Sequence, residues 1–346
     1  MTLESPRPPT ATRRIAGAFA VALVFALGVY LLLDFTRPGA LVGFSFLLVL
    51  PAAVTAFIAY VGDPHGEKAR GWYLGTVPFV LMLLVIVASM VFLREGAICI
   101  LMLAPLWIVS SLIGGALTMK LRQRRKPGES IDATFNASVL LVIPLVAFQV
   151  EPMIPLPRDR YVVTRSIDIA ADPMTVWNLA KGVGAIRADE GRFTISQSLI
   201  GLPRPTGVRL DAERLGAVRH VAWQDDIRFD EVVTAWQPGR RLHWDFRFGR
   251  AAMDGWAMQD RHLMPDSPHY RITDGGYRLT RLPDGGTRLT LTTRYWAQTP
   301  VNPYARAWGE LLIGDVSNNV LAIIAQRAEA ASTRPAPHAI SAWPAK

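Results

Sequence analysis

Cysteine is almost missing from this 346-residue chain: Cys99 is the single one, and it lies inside an apolar run. One thiol excludes an internal disulfide and any thiolate metal cluster. Histidine is scarce too, and its 6 residues are scattered. His243 falls on the polar phase of a strand. His262 has Asp260 near it, a pair suited to acid–base work but placed in a polar loop. No cluster has the spacing of metal ligands, so neither a metal nor a cofactor is expected. The signatures HExxH, GxSxG, CxxC and the Walker A loop are all lacking. "KGVGAIRADEG" offers Gly182 and Gly184 but not the third glycine of a dinucleotide loop. There is no catalytic motif to name, and enzymatic activity stays an open question. Dense basic faces with interleaved aromatics are lacking as well, which argues against nucleic acid as a partner.

Apolar residues, by contrast, are plentiful: 51% of the chain, with a mean hydropathy of +0.23. They concentrate in the first 151 residues. Four runs reach the ~20 residues that cross a bilayer: Ile15–Leu33, Gly39–Val61, Tyr73–Leu93 and Ala97–Met119. A fifth, Ala133–Val150, contains Asn136, Ser138 and Pro144 and reads either as a span or as a re-entrant segment. Asp34, Asp63, Arg94 and Glu95 sit at run ends. Transport driven by intramembrane ionisable groups is therefore not indicated. Gly114-Gly115 and Ser110-Ser111 suit close helix packing.

The loops set an orientation. Arg7, Arg13 and Arg14 precede the first run, Lys68 and Arg70 follow the second, and "KLRQRRKPGES" follows the fourth. The intervening loops hold only Arg37 and Arg94. By the positive-inside rule the N-terminus is cytoplasmic. Five crossings then place everything after Glu151 on the periplasmic, extracytoplasmic side of a multi-pass inner-membrane protein. Four would place it in the cytoplasm.

Residues 1–151 thus read as a transmembrane domain of about five helices. Residues 152–159 are a Pro-rich linker, 160–331 a folded domain and 332–346 a Pro- and Ala-rich disordered tail. The folded domain opens with the strand "YVVTRSIDIA". The helix of "ADPMTVWNLA" follows, with Asp172 as N-cap and Pro173 at its first position. "RFTISQSLIG", "GVRLDAERLG", "RHVAWQDD", "RFDEVVTAW" and "RRLHWDFRF" read as strands. "HYRITDGGYRLTRL" and "TRLTLTTRYW" form a hairpin across Pro283-Asp284-Gly285-Gly286. A helix from about Asn302 to Ala331 closes the domain. This is an α+β order, one antiparallel sheet against one long helix.

That order, with "ADPMTVW", "WQPGRRLHWDF" and "YRLTRLPDGGTRLTLTTRY", resembles the START-like, or SRPBCC, superfamily, nearest its polyketide cyclase/dehydrase and lipid-transport branch. The resemblance covers about residues 160–330. It implies the helix-grip fold, a curved antiparallel sheet wrapped on a long C-terminal helix, with an apolar cavity between them. It carries no shared catalytic set.

Period two sets the inward residues of "RRLHWDFRFGR": Leu242, Trp244, Phe246 and Phe248. Tyr277 and Leu279, then Leu289, Leu291, Thr293 and Tyr295, share that phase on the hairpin. Trp308 and Leu312 face them from the helix, with Asp315 and Asn319 on the same side. Either these residues interlock as a solid core, or they line a pocket; the resemblance favours the pocket. A carboxylate at 315 needs a partner, for which Arg294, Arg247 or a ligand headgroup would serve. "GRAAMDGWAMQDRHLMPDS", with Met253, Trp256 and Met258, reads as a lid, a membrane-facing loop or a loop packed on its own domain. Three functions follow: a membrane-anchored binder or carrier of a lipid or other hydrophobic small molecule, a cyclase/dehydrase-like enzyme relying on Asp315, or a membrane sensor or assembly module.

Overall fold

The computed structural model of the chain describes residues 11–63, 71–88, 97–124, 133–249 and 264–333. It divides into two units, Met1–Pro157 with Thr299–Val301, and Arg158–Gln298 with Asn302–Lys346.

The first unit is helical: α1 (Ala11–Thr36), α2 (Leu50–Gly62), α3 (Val77–Ala88), α4 (Ala97–Gln123) and α5 (Ala133–Val150). Wide turns at Ser45–Val49 and Trp72–Thr76 lead into α2 and α3. Among the described residues, three helical stretches are long and apolar enough to cross a membrane: Thr12–Thr36, Ser45–Gly62 and Ile98–Gln123. The expected five are thereby corrected to three. Trp72–Ala88 and Ser138–Met153 are shorter apolar helices. Polar Thr134 and Asn136 precede the apolar part of the last, and the expected end of the third run, Leu93, lies outside the described residues.

α2 is the hub. Of the apolar window in Ser45–Gly62, 78% is buried, against 33% in each of the other two long stretches. Gly114 makes the close approach possible, because a Cβ there would fall 2.1 Å from the Ala52 carbonyl oxygen. The outer faces stay bare: Val24, Phe79, Leu83, Ile113, Leu117 and Val146 are all exposed. At one end of α2 the Tyr73 hydroxyl donates to Asp63, and Arg122 donates to the Ala59 and Tyr60 carbonyls. A cation on terminal carbonyls complements the helix dipole. At the other end the Glu151 carboxylate accepts from the amides of Phe44 and Ser45 (3.0 Å for Ser45). The end of α5 therefore lies beside the turn between α1 and α2.

The second unit carries eight antiparallel strands: β1 (Asp159–Ile169), β2 (Gly184–Ala185), β3 (Pro205–Leu210), β4 (Val218–Trp223), β5 (Arg228–Gln237), β6 (Arg241–Arg247), β7 (Tyr270–Arg281) and β8 (Thr287–Ala297). Their order is β1-β8-β7-β6-β5-β4-β3-β2. Between β1 and β2, α6 (Pro173–Ala180) starts at Asp172, which accepts from the amides of Met174 and Thr175. The last helix, α7 (Asn302–Ser332), lies against β1, and also meets β8, α6 and the turn at Ile195–Leu199. A long terminal helix on a curved sheet is the helix-grip arrangement. One predicted strand is corrected: "RFTISQSLIG" forms a wide helical turn over Ile195–Leu199. Its alternation suits a strand, but the Thr194 hydroxyl and the Asp315 carboxylate accept from the amides of Gln197 and Ser196, as a helix start requires.

Gly114→Leu should fail by overpacking against Ala52, at a cost of about 1–3 kcal/mol or more. The measurement is thermal unfolding of the full chain in mild detergent; a midpoint equal to that of the parent chain contradicts the packing described.

Candidate functional site

The strand register sorts the side chains onto two faces. Val233, Trp244, Gly275, Thr293 and Val163 stand opposite one another in one row. Leu242, Tyr277, Leu291 and Arg165 form the next, and Leu210, Arg219, Glu231 and Phe246 a third. Directly opposed residues share a face, so the inward residues of β6, β7 and β8 do meet on one side of the sheet. Leu242, Trp244, Tyr277, Leu279, Leu289 and Leu291 join one buried cluster with Val176, Trp177, Leu321, Ile323 and Ile324.

This face runs from the buried cluster into a partly buried aromatic surface. Trp244 packs on Tyr277 at 5.2 Å and on Phe246 at 6.3 Å between ring centroids. Phe246 and Phe248 stack at 5.9 Å, and Phe229 contacts both. Phe246 and Phe248 are only half-buried. Gly275 opens the space for the indole, because a Cβ there would lie 3.2 Å from both Trp244 Nε1 and Phe246 Cε2. Among the described residues, buried Trp244 Nε1 finds no hydrogen-bond acceptor. Tyr295 belongs to a separate trio with Tyr161 and Tyr270, at 5.3 and 5.4 Å. Burial pushes its hydroxyl pKa up to about 12.

Trp308 and Leu312 are half-buried and stand outside the buried cluster, whereas Leu321, Ile323 and Ile324 seal the sheet. Asp315 and Asn319 bond neither Arg294 nor Arg247, which alternate to the outer face. Asp315 accepts from the Ser196 amide at 2.9 Å. Buried Asn319 accepts from the Arg192 amide at 2.9 Å and donates to Gln197 at 2.8 Å. Trp256 lies outside the described residues, as do Met253, Met258, Asp260 and His262.

Two charged residues that the sequence reading passed over sit in the interior. Arg219 is 2% exposed and pairs with Glu231 across β4 and β5. Its guanidinium lies 4.2 Å over the Trp244 ring and also donates to the carbonyls of Lys181 (3.1 Å) and Ala180 (3.4 Å), which end α6. Burial raises the Glu231 carboxyl to about 7 against the pull of Arg219, and burial raises the nearby Tyr277 to about 12. Their signal was in the sequence: Arg219 and Glu231 hold the apolar phase of Ala217-x-Arg219-x-Val221 and Phe229-x-Glu231-x-Val233.

The outer face carries its own network. His243 bonds Thr234 at 2.7 Å and Asp274 at 3.0 Å, and Arg294 bonds Asp274 at 2.6 Å. Burial pushes the Asp274 carboxyl up, but the Arg294 and Thr273 hydrogen bonds outweigh it and hold the group below its usual range. A cleft of about 990 Å³ opens along β2–β5, edged by Lys181, Arg209, Asp211, Glu213, His220 and Asp230. Apolar Val208, Leu210, Val221 and Phe229 line it as well. Among the described residues no group of metal-ligating side chains occurs.

No family model matches the chain, and no curated protein matches it in sequence. Solved structures do match it. The Zhui aromatase/cyclase from Streptomyces sp. R1128 is 16% identical, with 49% of this chain and 94% of that one covered and a TM-score of 0.32. Truncated norcoclaurine synthase from Thalictrum flavum is 9% identical, with 53% and 99% covered and a TM-score of 0.33. The protein TTHA0849 from Thermus thermophilus is 18% identical, with 50% and 100% covered and a TM-score of 0.32. The helix-grip arrangement of this chain rests on its own sheet order and helix placement.

Removing one partner of the buried pair should cost about 3–5 kcal/mol, while the apolar double substitution Arg219→Met with Glu231→Leu should recover most of it. Urea unfolding of Glu231→Ala and of the double variant measures this; a cheap Glu231→Ala would contradict a buried pair. The pH dependence has a definite sign. The folded-state pKa of Glu231 lies above its unfolded value, so its contribution is full below about 4.5 and lost as pH rises through about 7. Glu231→Gln should remove that decline from the stability profile.

Proposed function

We propose that this protein is a membrane-anchored binder or carrier of a lipid or other hydrophobic small molecule, held on the inner face of the helix-grip sheet. One observation carries the reading. The aromatic surface of Trp244, Tyr277, Phe246, Phe248 and Phe229 is continuous with a sealed core at one end and half-exposed at the other. Small-molecule sites combine such apolar walls with a few placed polar groups. Here those groups are the unsatisfied Trp244 Nε1 and the Glu231 carboxyl.

Anchoring in the inner membrane is supported by the three long apolar helices and by the bare apolar faces around them. The orientation has a structural support as well. Glu151 touches the α1–α2 turn, so the exit from α5 lies at the far end of α1 from its Arg-bearing N-terminus. With that N-terminus cytoplasmic, the second unit is extracytoplasmic. A second reading, acid–base catalysis on the same guest, is favoured by the Glu231 carboxyl, which stands opposite Phe246 on the inner face and is held above its usual range by burial.

The full chain, purified in mild detergent, should carry an apolar molecule detectable by native mass spectrometry and should take up a fluorescent lipid. Phe248→Ala should weaken uptake by about tenfold, the scale of one buried aromatic anchor. Absence of both a bound molecule and uptake rejects the reading. For orientation, Arg278→Cys in a Cys99→Ala background should react with a membrane-impermeant maleimide in intact spheroplasts. Labelling only after lysis places the unit in the cytoplasm instead.

A further inference from the structure

The segment 191–200 is held rigidly while showing its greasy side chains to solvent. Phe193 is 71% exposed, Ile195 47% and Leu199 74%. Exposed apolar residues on a floppy loop would need no explanation, but this turn is fastened along one side of α7. Asp315 accepts from the Ser196 amide, Asn319 accepts from the Arg192 amide and donates to the Gln197 side chain, and Gln326 exchanges two 3.0 Å bonds with the Gly191 backbone. Gly191 has φ +93°, and a Cβ there would lie 2.1 Å from Asn319 Oδ1, so the junction accepts glycine. Arg327 locks the preceding stretch through Glu190 at 2.7 Å and through the Ala185 carbonyl at 2.6 Å. Four polar residues of α7 thus hold in place a tip that contributes nothing to the buried cluster.

We propose that Phe193, Ile195 and Leu199 form a bilayer-docking tip that inserts among anionic lipid headgroups. Three features select a bilayer over other occupants. The unit is joined covalently to helices apolar enough to span a membrane, which makes a bilayer surface its most concentrated apolar neighbour. The tip is a helical turn with no free strand edge for a peptide to extend. Arg192, exposed and beside Phe193, has no carboxylate partner among the described residues, and a headgroup phosphate supplies one. Apolar knobs with an adjoining cation suit the headgroup–acyl boundary.

This proposal rests on the membrane anchoring proposed above, and the experiment separates the two. The full chain, with Cys99→Ala and Leu199→Cys carrying an NBD dye, is placed in nanodiscs of phosphatidylcholine and phosphatidylglycerol. Failure of anchoring shows as a chain that does not enter the discs. Docking shows as a blue-shifted dye, quenched by nitroxide lipids at least several-fold more strongly than the same dye at Arg278→Cys on the outer face. Phe193→Asp should abolish the difference, and Arg192→Gln should reduce it in discs with phosphatidylglycerol but not in pure phosphatidylcholine. A dye at 199 as wet and unquenched as the one at 278 overturns the proposal. So does a dye shielded without nitroxide quenching and exposed again on dilution, which would mean that a second copy covers the tip.

Discussion

A guanidinium in a dry interior has to place all its donors, and Arg219 organises the second unit by doing so. It meets Glu231 on β5, two carbonyls at the end of α6 and the face of Trp244 on β6. The end of α6 is thereby fixed to the β5–β6 hairpin, about fifty residues away in sequence. A buried pair of this kind adds little net stability over apolar residues of the same size, but it penalises any arrangement in which one charge is left alone. A register slip of one residue would turn Glu231 outward and strand Arg219, so the pair helps to define which face of β4 and β5 is inner.

The same logic of polar groups in fixed places runs along α7. Asp315, Asn319, Gln326 and Arg327 secure the stretch 183–197, while Leu321, Ile324 and Ala328 seal the core on another side of the helix. The hydrogen bonds from Arg327 hold the Glu190 carboxyl down to about 2. This contact keeps its full stabilising effect above about 4.5 and loses it as pH falls through about 2. Glu231, raised by burial, titrates in the opposite sense.

Much of the sheet was legible because period two survives wherever one face is dry. Leu242, Trp244, Tyr277, Leu289 and Leu291 fall on the inner face as the alternation of their strands requires. The turn at Ile195–Leu199 was not legible, since its stabilising acceptor, Asp315, lies 119 residues away. Asp315 and Asn319 stand out in the sequence for the right reason, polarity beside an apolar stripe, but only tertiary structure shows that backbone amides satisfy them. Arg219 and Glu231 were legible in phase and masked by type: a charge on the apolar phase reads as a strand edge until its partner is found. The membrane helices were legible in composition, as long apolar runs with charges only at their ends.

The position of α7 also decides where a guest can lie. Small residues bring the helix down onto β1 and β8. A Cβ at Gly309 would lie 2.1 Å from the Tyr295 hydroxyl, and one at Gly314 would lie 2.2 Å from the Arg165 guanidinium. Room between helix and sheet is therefore least on that side, where Trp308 and Leu312 were expected to close a pocket. Across the sheet, β5 and β6 carry Phe229, Phe246 and Phe248, three large rings, two of them half-exposed. Large apolar side chains left uncovered beside a packed core represent surface that folding alone has not removed from water. For the hydrophobic guest proposed above, the placement that covers those rings on β5 and β6 is therefore the most favourable one.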